Sequence, residues 1–159
     1  MPKKNLIIAS LILIVVLALA YFLYTPKAPI SPEQEIRSIV GAFSEKIKLV
    51  SLTGTDEQVL AAIKENYGPY ISEGLMTGWQ MNPRSAPGKM SEASSPDHIE
   101  IIAIEPTDDG AYEVQGKVIE TLTPPQNGVQ TNYYQLAMKF RYQNGKWLMT
   151  GLTKQLPTQ

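Results

Sequence analysis

The chain has one histidine, His98, and it stands beside Asp97 with Glu100 two residues on. An imidazole among carboxylates is the arrangement that both acid–base catalysis and metal coordination draw on. On a strand, His98 and Glu100 share a face, because side chains alternate. A metal would still need a further ligand from a distant part of the chain, and Ile99 and Ile101 read as the core-facing set. The expected role is therefore a surface histidine at a strand edge, with Asp97 and His98 the only acid–base pair on offer.

Other candidates give less. Asp108-Asp109 is a carboxylate pair, but a glycine follows it, and Asp-Asp-Gly is what a tight turn demands. No Gly-rich phosphate loop, G-x-S-x-G elbow or H-E-x-x-H helix occurs. The absence of cysteine removes disulfides, thiolate catalysis, thiolate metal sites and a lipobox-type anchor. No residue is nominated as catalytic, metal-binding or cofactor-binding, no cofactor is expected, and the protein reads as a non-enzyme. Trp79, Tyr112, Tyr134, Phe140, Tyr142 and Trp147 could line a pocket for an apolar ligand, although core packing is the commoner use of such side chains. Tyr133, on the other face from Tyr134, and Ala137 between Gln135 and Lys139 hint at a contact surface.

The elements that must position these residues follow from periodicity. Ser31-Pro32-Glu33-Gln34 combines an N-cap serine, proline at the first helical position and a glutamine able to close a capping box. Ile36, Ile39, Val40, Phe43, Ile47 and Val50 then recur on one helical face, until Thr53-Gly54 ends the segment. Thr55 to Gln58 repeats the capping logic, with Val59, Leu60, Ile63 and Tyr67 as the next apolar face before Gly68-Pro69. A short third helix is expected between Tyr70 and Trp79. Residues 81–96, rich in Pro, Ser, Ala and Gly, read as a long loop.

Beyond that loop the period becomes two. His98–Glu105 is a strand, Asp108-Asp109-Gly110 a turn, and Ala111–Thr123 the returning strand with Tyr112, Val114, Val118 and Leu122 on one face. Pro124 to Gly128 makes a second reversal. Thr131–Gln143 follows, with Tyr134, Leu136, Met138, Phe140 and Tyr142 on one face and Gln135, Lys139 and Arg141 on the other. Asn144-Gly145 signals a two-residue hairpin, which pairs Gln143 with Lys146, Tyr142 with Trp147, Phe140 with Met149 and Met138 with Gly151. The expected fold is α+β: two or three helices on a four-stranded antiparallel meander.

Ahead of this domain, Leu6–Tyr24 is a run of 19 residues without a charge. At about 1.5 Å per helical residue it nearly spans a hydrocarbon core of about 30 Å. Tyr21, Phe22 and Tyr24 crowd its far end, as aromatic residues do at headgroup level. Lys3 and Lys4 precede it, which by the positive-inside bias places residues 1–5 in the cytoplasm and everything after Tyr24 outside. The expected organisation is thus a cytoplasmic tail (1–5), a single-pass transmembrane anchor in the cell membrane (6–24), a proline-containing spacer (25–30) and an extracytoplasmic domain (31–159). The rival reading is a cleaved signal, since Ala18-Leu19-Ala20 has the form of a cleavage site and would release a secreted domain. Without Lys3, Lys4 and Lys27, 11 basic side chains face 15 acidic ones, a net charge of −4, and no Lys/Arg cluster follows residue 30. Nucleic acid is therefore not an expected partner.

The helix-then-meander order, Phe43 within the first helix and the terminal Tyr142–Met149 turn around Asn144-Gly145-Lys146-Trp147 resemble the cystatin-like, nuclear-transport-factor-2-like (NTF2-like) superfamily over about residues 31–153. The resemblance implies a long helix packed into a curved sheet. It also raises the alternative of a small-ligand binder or enzyme using the sheet's concave cavity, with His98 and Asp97 at its mouth. A tether followed by this fold is similar to inner-membrane assembly components of bacterial conjugation and type IV secretion machines, although the tail of about five residues is shorter than theirs. The expected function is an extracytoplasmic interaction domain with a protein partner, in a cell-envelope or secretion assembly.

Overall fold

The protein is described from a computed structural model, over residues 13–17, 30–122 and 131–155. Residues 13–17 are helical, with their apolar side chains exposed. The rest of the expected anchor, the spacer up to Pro29 and the Pro124–Gly128 reversal lie outside the described residues. Among those described, no helix is long and apolar enough to cross a membrane.

Residues from Ser31 onward form one compact unit. Helix α1 (Pro32–Ile47) starts at Ser31, whose hydroxyl accepts from the Gln34 amide while the Gln34 side chain accepts from the Ser31 amide. Helix α2 (Asp56–Tyr67) has the same reciprocal cap between Thr55 and Gln58. Helix α3 (Glu73–Met81) is capped by Ser72. The first helix ends three residues before Val50, which is nonetheless fully buried in the connection.

The sheet is an antiparallel meander in the order β1 (Ser94–Pro106), β2 (Tyr112–Leu122), β3 (Thr131–Gln143), β4 (Lys146–Gln155). Its helix-covered face is apolar: Val114, Val118, Leu136, Met138, Phe140 and Met149 are at most 1% exposed, as are Ile36, Val40, Phe43 and Ile47 of α1. Burying each such side chain contributes roughly 1.5–3 kcal/mol. From Ser31 onward, three helices and the 3-10 turn at Pro83–Ser85 precede the four strands among the described residues.

Three register irregularities were not foreseen, and they have one cause. A strand keeps a face only while apolar residues fall at even spacing. In β1 the shift between Pro96 and His98, and a second between Ile101 and Ala103, bring Ile99, Ile101 and Ile104 to the helix side and leave Ile102 60% exposed. In β4 Thr150 is extra, so Met138 pairs with Leu152 and not with Gly151 as a uniform hairpin register expects. The bulge keeps both Met149 and Leu152 on the apolar face. The Gln143–Lys146, Tyr142–Trp147 and Phe140–Met149 pairings stand as expected.

The segment read as a loop over 81–96 is shorter, because β1 begins at Ser94, and it is stapled down. Lys89 donates to the Val50 carbonyl and accepts from the Leu52 amide, each at 2.8 Å. The Tyr67 hydroxyl donates to the Pro87 carbonyl at 2.6 Å, and Ala86 is fully buried. At the edge of β1, the amide of Ile99 donates to the buried hydroxyl of Ser44 in α1 at 2.7 Å. That bond and the two bulges blunt an edge otherwise open to strand addition.

Candidate functional site

His98 lies on the face of the sheet opposite the helices, since it pairs with Ile119 whereas Pro96 pairs with the inward-facing Glu120. Its Nδ1 is 2.8 Å from Asp97 and its Nε2 3.7 Å from Glu100, and its side chain is 45% exposed. Ile99 faces the core, as its spacing suggested. The acid–base candidates are thus together in space but on open surface rather than in a cavity. Among the described residues, no group of three or more His, Cys, Asp or Glu side chains could hold a metal ion.

Asp109 is a turn residue. Gly110 adopts φ 73°, and the Asp109 carboxylate accepts from Thr107, Lys139, Arg141 and the Ala111 amide. The Thr107 hydrogen bond, then Lys139, the Ala111 amide and the Arg141 charge hold its carboxyl well below the ordinary value of 3.8. A depressed carboxyl contributes stability above its unfolded value and loses it as pH falls through the folded one. The stability difference between wild type and Asp109→Asn should therefore be constant above about pH 5 and shrink below 3.8. Urea titrations at stepped pH check this; a pH-independent difference would exclude the carboxylate as its source.

The aromatic set divides. Phe43, Tyr67 and Trp79 form a buried stack, with centroids 4.7 Å and 5.7 Å apart. Tyr112, Tyr142 and Trp147 form a second group at the hairpin, where Tyr142 remains 59% exposed. Both serve packing. On the opposite face, the exposed ring of Tyr133 carries the Lys117 ammonium 4.4 Å from its centroid.

Polar groups that sequence reasoning passed over converge at the far end of the helix-covered face. Glu120 is only 9% exposed, and no hydrogen bond or ion pair reaches its carboxylate from a described residue. The Tyr134 hydroxyl and the Ser94 hydroxyl are buried without a partner among the described residues. Burial, then the Glu120 charge, push the Tyr134 phenol up; burial, then Tyr134, push up that of Tyr67. Lys154 reaches in from β4, donating to the Ala86 carbonyl at 2.8 Å, its ammonium 5.8 Å from the Tyr134 ring centroid. Burial pulls the Lys154 amine down, against the Glu120 charge. A signal was present: Glu120 has the parity of Val114 and Val118, and a carboxylate at a core-facing position of a strand is costly enough to need a reason.

This cluster can hydrogen-bond a small polar molecule through its hydroxyls, the Glu120 carboxylate and the Lys154 amine. Replacing Glu120 by Gln removes the charge that holds the Lys154 amine up. Its titration, followed by the 13Cε shift, should move to lower pH, and an unmoved titration would show that the two groups are uncoupled.

No protein-family model matches the chain, and no curated protein matches it. Solved structures of similar trace include the intermembrane-space region of the chloroplast protein ARC6, 11% identical over 83% of this chain and all of that one, TM-score 0.44. Aln2 from Streptomyces is 15% identical over 82% of this chain and 94% of that one, TM-score 0.49. An NTF2-like protein of unknown function from Prochlorococcus is 12% identical over 81% and 95%, TM-score 0.43. At such identities and scores these likenesses assign neither a family nor an activity.

Proposed function

We propose that residues 31–159 are an extracytoplasmic, NTF2-like protein-interaction domain, tethered by residues 6–24 to a bacterial cell membrane, and a non-enzymatic component of a cell-envelope or secretion assembly. The observation that carries this reading is the filled helix-covered face. Where a ligand-binding cone would be open, Val114, Val118, Leu136, Met138, Phe140 and Met149 are packed against α1, and His98 stands outside. The uncharged Leu6–Tyr24 run supports the tether. Crosslinking in intact membranes followed by partner identification tests the interaction, and recovery of no specific protein would sink it. Intact-mass measurement tests the tether, which a mature chain starting at Tyr21 would overturn.

One observation favours a second reading, a small polar ligand held at the Glu120–Tyr134–Lys154 end: the Tyr134 and Ser94 hydroxyls are buried there without a partner among the described residues. A defined molecule that co-purifies with wild type and is lost from Glu120→Ala, with no protein crosslinked, would replace the first reading by this one.

A further inference from the structure

Two clefts adjoin where α3 begins, sharing Gly68, Ile71, Ser72 and Glu73 as lining. One, of about 540 Å3, runs beneath the β3–β4 hairpin; the other, of about 440 Å3, runs between α2 and α3. Ile71 and Leu148 are the large apolar side chains lining the first, and Ile71 and Met76 those lining the second. Their charged lining is Arg141 and Lys146 in the first and Lys64 in the second, against Glu73 alone. The excess of two positive charges persists when Arg141's neighbours Lys139 and Asp109 are both counted. In a domain whose net charge is −4, cations gather along one groove.

From this groove we infer the chemistry of the partner: an extended acidic segment of another protein, its carboxylates on Lys64, Lys146 and Arg141 and its apolar side chains over Ile71 and Leu148. The inference rests on the interaction reading above and deepens it. Charge complementarity of this kind sets orientation and association rate, and weakens with salt. The backbone of the groove is already fixed, because Tyr70 and Ser72 exchange hydrogen bonds with Met149 on the edge of β4, both at 2.9 Å. A partner strand therefore meets a formed wall and is read by side chains.

The test uses the full chain in detergent micelles and two fluorescein-labelled peptides of about eight residues, one alternating Glu and Val, the other Lys and Val. The Glu–Val peptide should bind, more weakly as NaCl is raised, and the Lys–Val peptide should not. The double substitution K64E/K146E, at two exposed positions, should weaken Glu–Val binding by about tenfold. Equal binding of both peptides, or binding unchanged in that variant with its thermal melt intact, would overturn the inference. A photo-crosslinker at Thr77, in the groove, and another at Gln135, six residues and so about 20 Å along β3 from Arg141 and outside the groove, separate the two claims in intact membranes. An acidic partner segment mapped through Thr77 supports the groove. A partner captured only through Gln135 overturns the groove and leaves the interaction reading standing, and capture through neither removes both.

Discussion

Phe43→Ala should lower the folding stability of the domain by about 3–5 kcal/mol. Phe43 is fully buried on α1, with the Tyr67 ring at 4.7 Å and the Tyr70 ring at 6.3 Å between centroids. Truncation removes the apolar area that seats α1 on the sheet and leaves a cavity ringed by large side chains that cannot collapse into it. Since domains of this size have about 5–15 kcal/mol in total, the variant should sit near the threshold of folding. The comparison is Tyr67→Phe, which keeps the ring and removes only the 2.6 Å bond to the Pro87 carbonyl. That change should cost about 0.5–1.5 kcal/mol. Urea denaturation of both decides the matter: equal losses would mean that hydrogen bonding to the 81–93 segment, and not ring packing, holds this end of the core.

A second large effect is expected from one methyl group. At Gly88 an added Cβ would lie 2.6 Å from the Val50 carbonyl oxygen, 3.2 Å from Leu52 and 3.3 Å from the Val50 side chain. The first contact is with backbone that itself accepts the Lys89 amide, so relief requires breaking the pairing between residues 50–52 and 88–89. Gly88→Ala should therefore cost about 1–3 kcal/mol, as overpacking does. It should also speed amide exchange at Leu52 and Lys89. The same substitution at Gly41, in α1, meets nothing within 4 Å and should stabilise by up to about 1 kcal/mol through helix propensity. Opposite signs for one chemical change would locate the effect in the staple; two stabilising results would show that the segment yields freely.

The helices were legible because their signals are local. Ser31 with Gln34 and Thr55 with Gln58 carry their caps within four residues, and both caps form. The Asn144-Gly145 turn was equally local, with Asn144 and Gly145 at φ 51° and 81°. The bulges at residues 97, 102 and 150 were harder, since a break in alternation shows only when core and surface faces are known. Glu120 and Lys154 were missed for a related reason. A carboxylate on one strand and an amine on another, 34 residues apart in sequence, become neighbours only through the β2–β3–β4 pairing. The groove between α2, α3 and the hairpin has no sequence signature at all, because Lys64, Glu73 and Lys146 belong to three separate elements.

By itself, then, the sequence determined the α+β class, the order of helices and strands, the hairpin turn, the place of Asp109 in a turn and the lack of a thiol. These depend on hydrophobic period, capping and turn chemistry, all within a few residues. Only the tertiary structure decided that the core is filled, that His98 faces outward, that polar groups converge at Glu120 and that cations line one groove. Each of those depends on which side chains meet across distant elements, and no local pattern encodes such a meeting.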